Sequence, residues 1–296
     1  MNAPEHAERF THLRPLLFTI VYEILGSATE ADDVLQDSYL RWAQVDLSTV
    51  RDTKAYLAQL VTRQALNALR AGARRREDYV GPWLPEPLLL DEADPEADVV
   101  LAESVSMAML VVLETLSPDE RAVFVLREVF GFDYDEIGAA VGKSAAAARQ
   151  IAHRAREHVR ARRKRFEPVD QQQREQITAQ FLAAAASGDV DALIGLLAPD
   201  VKWIADGGGK VSAARRPVIG ARKVANAIVG LVRRGLPDMR VEWVTCNSTP
   251  AVLVYAGDRI DIVIAVDVVD GKIANFYAVR NPEKLATATV RREITR

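Results

Sequence analysis

The sequence predicts a multidomain chain: two all-α domains, the second with a helix-turn-helix, followed by an α+β domain shaped like a cone. Three observations lead there. Residues 134–165 read as a short helix stopped at Gly142-Lys143, a Ser144 cap, and a second helix carrying Arg149, Gln150, His153, Arg154 and Arg156. Near the start, Leu13, Leu16, Leu17, Ile20 and Ile24 share one face at helical spacing. After about residue 170 the pattern changes to strand-like runs, and Asp270-Gly271 between the last two is a hairpin signal.

The first block, residues 5–76, reads as helical throughout. Its opening helix stops at Gly26. Ser27 and Glu30 make a capping box for the next helix, Ala31 to Trp42. Val34, Leu35, Tyr39 and Trp42 turn inward there, which leaves Asp32, Asp33, Gln36, Asp37 and Arg41 on exposed faces. A third helix, about Thr53 to Ala71, buries Tyr56, Leu57, Leu60, Val61, Ala65 and Leu69. Arg63, Arg70, Arg74, Arg75 and Arg76 make that helix basic. Complementarity to the helix dipole accounts for such arginines about as well as a phosphate-contacting face does.

Residues 77–98 form a linker, because Pro82, Pro85, Pro87 and Pro95 forbid a continuous helix. Trp83 and Leu84 sit between these prolines and are costly to leave in water, so the linker is expected to dock. The second block, 99–166, is again helical. Met107, Leu110, Val111 and Leu113 line one helix. Ser117, Pro118 and Glu120 open the next with a capping box, and Gly131 stops it before the helix-turn-helix. From Lys143 to Arg165 the only acidic residue is Glu157, so the second helix and its tail present one sign of charge. A solvated basic face is the plain explanation of such a run; the tight turn and cap favour the DNA major groove.

The third block, 170–296, opens with helices over Gln172–Ala186 and Val190–Leu197. Strands are expected at Val201–Ala205, Arg240–Cys246, Ala251–Tyr255, Ile260–Val269 and Lys272–Val279, with a helix over Ala221–Arg234. Helices followed by a curved antiparallel sheet suggest a cone with an internal pocket.

Composition sets bounds on all three blocks. The 296 residues carry a net charge of -3, and acidic residues gather at Glu86, Asp91, Glu92, Asp94, Glu96 and Asp98. A single cysteine, Cys246, excludes an intrachain disulfide and a cysteine-based metal cluster. No metal or cofactor is expected. The N-terminus has no apolar signal core and no stretch is long enough to span a bilayer, so no membrane contact and a cytoplasmic location are expected.

Asp32-Asp33-Val34-Leu35-Gln36-Asp37-Ser38-Tyr39-Leu40-Arg41-Trp42 resembles the core-polymerase-binding segment of bacterial sigma factors. Ala55-Tyr56-Leu57 through Arg76 resembles the adjoining −10 recognition helix, and the helix-turn-helix ending Arg154-Ala155-Arg156-Glu157 resembles the −35 recognition region. Two such domains joined by a linker look like the extracytoplasmic-function (ECF) class. Trp83-Leu84-Pro85-Glu86-Pro87, Asp206-Gly207-Gly208-Gly209-Lys210 and Asn281-Pro282-Glu283-Lys284-Leu285 resemble the linker, DGGGK and NPDKL signatures of ECF sigma factors with a fused SnoaL-like domain. The chain departs from that pattern at Glu283, where the family has aspartate.

The resemblance implies roles. Asp33, Gln36 and Asp37 match positions that face a coiled coil of the largest subunit of core RNA polymerase. Arg63, Asn67, Arg70 and Arg74, with the loop Asp46–Asp52, match the surface that takes unstacked bases of the −10 strand. Lys143, Ser144, Arg149, Gln150, His153 and Arg154 match the promoter-DNA contacts at −35; arginine pairs with guanine and glutamine with adenine. The acidic linker suits the positive channel through which polymerase threads nascent RNA. The fused domain would modulate activity, and a small molecule in its pocket is a further candidate partner.

The competing reading is a helix-turn-helix repressor or ligand sensor fused to a SnoaL-like enzyme domain. A repressor has no need of the Asp33/Gln36/Asp37 face or of a −10 helix. The four histidines, His6, His12, His153 and His158, all lie outside the third block, which leaves Asp206, Asp261, Tyr255 and Tyr277 as catalytic candidates. Asp206 before three glycines reads better as a turn, and no enzymatic activity is expected.

Overall fold

Ser27 holds an extended backbone (φ -135°) and its hydroxyl accepts from the Glu30 amide, so the second helix starts at Ala28, a turn earlier than expected. The computed structural model describes residues 3–90, 98–162 and 171–296, without the side chains of Ala3, Ala73, Arg74, Arg75, Gln171, Gln172, Arg174 and Glu175. The arginines Arg74, Arg75, Arg163 and Arg165, Lys164, and the acidic residues Asp91, Glu92, Asp94 and Glu96 thus lie outside what is described. The chain forms two compact units. One comprises Met1–Glu77, Ala93–Arg165 and Arg292–Arg296; the other comprises Asp78–Glu92 and Phe166–Arg291.

The first unit is helical. It contains α1 (Ala3–Leu25), α2 (Ala28–Trp42), α3 (Thr53–Glu77), α4 (Val99–Ser104), α5 (Met107–Leu113), α6 (Pro118–Phe124), α7 (Tyr134–Val141) and α8 (Ala145–Arg162). Leu17, Ile20, Val21 and Ile24 of α1 are fully buried with Leu57, Val61 and Ala65 of α3. Trp42 is buried too, and its indole donates to the His6 carbonyl at 2.9 Å. α3 runs six residues past the expected end at Ala71, because Arg76 is anchored: it donates to the Leu25 carbonyl at 2.7 Å and pairs with Glu114. Tyr56 was expected inside but is 37% exposed, since the first turn of α3 lies at the rim with the Tyr56 ring against Trp42. Asp32, expected on an open face, is half-buried and takes a two-pronged contact from Arg292 at 2.6 and 3.0 Å.

A largely buried polar node joins α1, α4, α5's end and α6. Glu23 accepts from the Ser104 hydroxyl at 2.7 Å, and its second carboxylate oxygen has no partner among the described residues. Arg121 donates to the Glu23 carbonyl at 2.8 Å and pairs with Glu114. Burial pushes the Glu23 carboxyl up to about 8.

The second unit contains α9 (Gln171–Ser187), α10 (Val190–Leu196), α11 (Ala221–Arg234), α12 (Pro282–Leu285) and most of one sheet. Its strands are β1 (Leu89–Leu90), β2 (Leu197–Asp206), β3 (Val218–Ile219), β4 (Met239–Cys246), β5 (Thr249–Ala256), β6 (Arg259–Val269), β7 (Lys272–Val279) and β8 (Arg291–Arg292), in the order β3-β2-β7-β6-β5-β4-β1-β8. β2 and β7 are parallel, and β4 to β7 form an antiparallel meander. α9 and α11 cover one face with Phe181, Val224 and Ile228. Inside the expected pocket the rings of Phe181 and Trp203 both pack on Phe276, at 4.9 and 5.5 Å. The linker contributes β1, which the prolines around it concealed: Leu89 pairs with Cys246, and Leu88 exchanges hydrogen bonds with Asn247 at 2.9 and 3.0 Å.

Candidate nucleic-acid interface and linker clamp

The helix-turn-helix is built as its residues dictate. Asp133 and Glu136 form a reciprocal capping box at the start of α7, and Gly142 ends it in the left-handed region at φ 72°. Gly138 is required for a different reason. A Cβ there would meet the Lys143 carbonyl at 2.7 Å, so only glycine lets the turn fold back on α7. Ser144 caps α8 by accepting from the Ala147 amide at 3.2 Å. Ala148, Ile151, Ala152, Ala155 and Val159 of α8 are buried, which leaves Arg149, Gln150, His153 and Arg154 exposed together. The Arg149 guanidinium lies 5.0 Å from the Tyr134 ring centre, a cation–π contact that limits its swing. Arg154 stands 3.7 Å from Glu120, and Lys143 3.1 Å from Asp119.

On α3, Arg63, Asn67 and Arg70 are exposed at spacings that place them on one face. Arg63 donates to the Ala139 carbonyl at 2.7 Å and Arg70 to Asp119 at 2.7 Å. On α2, Asp33, Gln36 and Asp37 are exposed on a single stripe. The stripe continues into Leu40, which is 56% exposed. Sequence reasoning passed over Leu40; its position seven residues after Asp33 was the available signal.

In the second unit the structure gathers most of the linker and signature residues into one buried cluster. Asp206 ends β2 fully buried, and Lys284 meets it at 2.8 Å with only 7% of its side chain exposed. The same carboxylate accepts from the Tyr79 hydroxyl at 2.6 Å, the Leu84 amide at 2.9 Å and the Gly208 amide at 3.0 Å. Lys284 also donates to the Leu84 carbonyl, and its ammonium sits 3.9 Å from the Trp83 ring and 4.9 Å from the Tyr79 ring. Asn281 caps α12, while its amide donates to Tyr79 at 2.9 Å. Burial and the neighbouring Asp206 carboxylate push the Tyr79 hydroxyl pKa far above its ordinary value, so it remains a donor.

The glycines in this cluster have a steric reason. A Cβ on Gly208, at φ +59°, would clash with the Asn281 amide nitrogen and lie 3.0 Å from the Tyr79 hydroxyl. Lys210 pairs with Glu283 on the exposed rim, so the longer acid at that position still reaches its cation. Pro282 opens α12 and Leu285 is buried at its end. Sequence reasoning missed Tyr79 and Asn247. Tyr79 stands four residues before Trp83, and a second aromatic so near the first was the signal.

Each of the four catalytic candidates has a structural place, and Tyr277 is buried in β7. Asp206 is within the cluster, Asp261 pairs with Arg280 at 2.7 Å, and Tyr255 donates to Glu242 at 3.0 Å beside Arg240. Among the described residues no group of acids, histidines and cysteine is placed to hold a metal ion, and no helix is long and apolar enough to cross a membrane.

Two family models match: sigma-70 region 2 over residues 9–75 and sigma-70 region 4 over residues 106–159. The chain is 36% identical over 286 residues to the ECF RNA polymerase sigma factor SigJ of Mycobacterium tuberculosis, covering 93% of this chain and 91% of that protein. It is 29% identical over 275 residues to the probable ECF sigma factor SigI of the same species, covering 92% of each. The crystal structure of M. tuberculosis SigJ superposes with a TM-score of 0.76 at 33% identity, covering 95% of this chain and 98% of that one. Helical sigma regions followed by an α+β domain are common to both structures, and this chain belongs to the extracytoplasmic-function family of sigma factors, alternative subunits that direct RNA polymerase in transcription.

Proposed function

We propose that this sigma factor acts in the cytoplasm, binds core polymerase through the α2 stripe, reads promoters through α3 and α8, and is modulated by its C-terminal domain through the linker. The buried Asp206–Lys284 pair closed on Tyr79, Trp83 and Leu84 carries this reading, because it makes the linker between the two sigma regions part of the C-terminal unit. In the proposed division, residues 5–76 and 99–166 do the binding, the linker 77–98 transmits, and 170–296 regulates.

Asp33, Gln36 and Asp37 supply acceptors to a basic partner surface, with Leu40 as an apolar contact beside them. Asp33→Lys with Asp37→Lys is expected to weaken core polymerase binding by a factor on the order of ten or more, with the helical fold intact. Co-purification of the doubly substituted chain with core at the wild-type level would remove the α2 assignment.

Arg63, Asn67, Arg70 and Arg74 serve the −10 strand. Lys143, Ser144, Arg149, Gln150, His153 and Arg154 serve the −35 duplex. Arg149→Ala is expected to cost about 1–3 kcal/mol and to relax base preference at one −35 position. Loss of Arg162, exposed near the end of α8, should weaken all sequences alike and lower the salt dependence. The check is a selection from randomised −35 sequences. Identical base profiles for wild type and Arg149→Ala would refute a base contact.

A further inference from the structure

Strand β4 leaves one edge of the second unit's sheet open. On one side it pairs with β5, from Met239 opposite Ala256 to Cys246 opposite Thr249, without a register shift. On the other side, among the described residues, the pairing is Leu89 with Cys246 at the far end. The turn into β5 fixes which groups are free. Asn247 and Ser248 both hold positive φ, 51° and 54°, the mirror-image turn that closes on a hydrogen-bonded pair, Cys246 with Thr249. Such pairs alternate along an antiparallel ladder, so Thr245 opposite Pro250 is a pair without these bonds, as a proline requires. Met239, Val241 and Trp243 stand in pairs of that same kind, and their N–H and C=O groups point away from β5.

The side chains of this edge are those of an adhesive strand. Met239, Val241 and Trp243 share one face and are 46%, 45% and 46% exposed. Residues 239–244 hold no proline, glycine or lysine and no bulge, the devices that guard an open edge. Charge sits only at Arg240 and Glu242, on the opposite face. The two pair along the strand at 2.9 Å, with the Arg240 guanidinium 3.7 Å from the Tyr255 ring centre. A foreign strand would have to match both signs. A second copy of the same strand matches them by symmetry.

We propose that two copies of this chain associate edge to edge through β4, antiparallel about a two-fold axis at Val241. In that register Val241 faces its own copy and Met239 faces the partner's Trp243. These are the residues whose N–H and C=O groups point outward, so they meet as hydrogen-bonded pairs, with an apolar stripe along one face. Arg240 falls opposite the partner's Glu242 in a pair without backbone bonds, where side chains come closest. Both such pairs form at once and join the two intrachain pairs into a ring of alternating charge. Moving the axis by one residue puts Glu242 opposite Glu242 or Arg240 opposite Arg240, so charge selects the register.

The test is sedimentation equilibrium of the full chain from about 2 to about 200 µM, the range in which a small interface associates. Wild type should pass from monomer to dimer across it. Val241→Pro removes a donor that β5 does not use, a change an edge strand tolerates. It should weaken association about tenfold or more, since both central hydrogen bonds go. Glu242→Arg and Arg240→Glu should each weaken self-association about tenfold, because symmetry doubles every like-charge pair. An equimolar mixture of those two variants sets opposite charges face to face again and should recover association to within about threefold of wild type. The charge variants and their mixture carry the test if Val241→Pro lowers the urea midpoint of the second unit. Monomer at every concentration would overturn the proposal. So would a dimer that a folded Val241→Pro chain still forms at wild-type strength, or one that the mixture fails to restore.

Discussion

Asp206→Ala is expected to detach the linker from the C-terminal unit. The substitution leaves the Lys284 ammonium buried without its carboxylate, and it removes the acceptor of Tyr79, Leu84 and Gly208 together. Removing one partner of a buried ion pair costs about 3–5 kcal/mol. The cost falls on the second unit, whose unfolding is followed by tryptophan fluorescence from Trp83, Trp203 and Trp243. Urea denaturation should show that unit's transition at lower denaturant, and proteolysis should cut within residues 78–90 faster than in wild type. Lys284→Met combined with Asp206→Asn should recover part of the loss, since neither charge is then stranded. Transcription from a cognate promoter should change in Asp206→Ala while core binding through α2 persists. Wild-type stability, cleavage and transcription in Asp206→Ala would end both the clamp and its regulatory role.

Glu23→Gln is expected to stabilise the helical unit at neutral and alkaline pH and to remove a pH dependence. The carboxyl has a folded pKa of about 8 against 4.5 unperturbed, with burial the main cause. Between those values the folded state holds a proton that the unfolded state has released. Stability therefore falls as pH rises, by about 1.4 kcal/mol per pH unit for this group, and levels off above the folded pKa. Glutamine fills the same space without ionising and still accepts from Ser104. Denaturation of wild type and Glu23→Gln from pH 5 to 9 should give curves that meet near pH 5 and diverge by a few kcal/mol toward pH 8. Parallel curves would show that Glu23 does not ionise in this window.

Local patterns placed most elements. Apolar spacing located α1 to α3, and the Ser117 and Ser144 caps fall at real helix starts. Asp270-Gly271 turns β6 into β7, and the segment Ala221–Arg234 is α11 residue for residue. These features are decided within a few residues by capping, backbone conformation and side-chain periodicity, so a sequence displays them. The exposed sets Asp33/Gln36/Asp37 and Arg149/Gln150/His153/Arg154 were legible for the same reason: they are the complement of a buried helical stripe.

The sequence by itself therefore determined the order of the blocks, the helix-turn-helix, and the expectation that Trp83 and Leu84 must be covered. Only the tertiary structure decided what each residue meets. It put the linker with the C-terminal sheet, paired Leu89 with Cys246, and returned Arg292–Arg296 to the helical unit. It also set Arg63 and Arg70 against Ala139 and Asp119, and buried Glu23 beside Arg121, where desolvation raises its carboxyl pKa. Such pairings join residues up to 276 positions apart. Their energies come from desolvation and from the geometry of a shared carboxylate, and neither leaves a periodic trace in the chain.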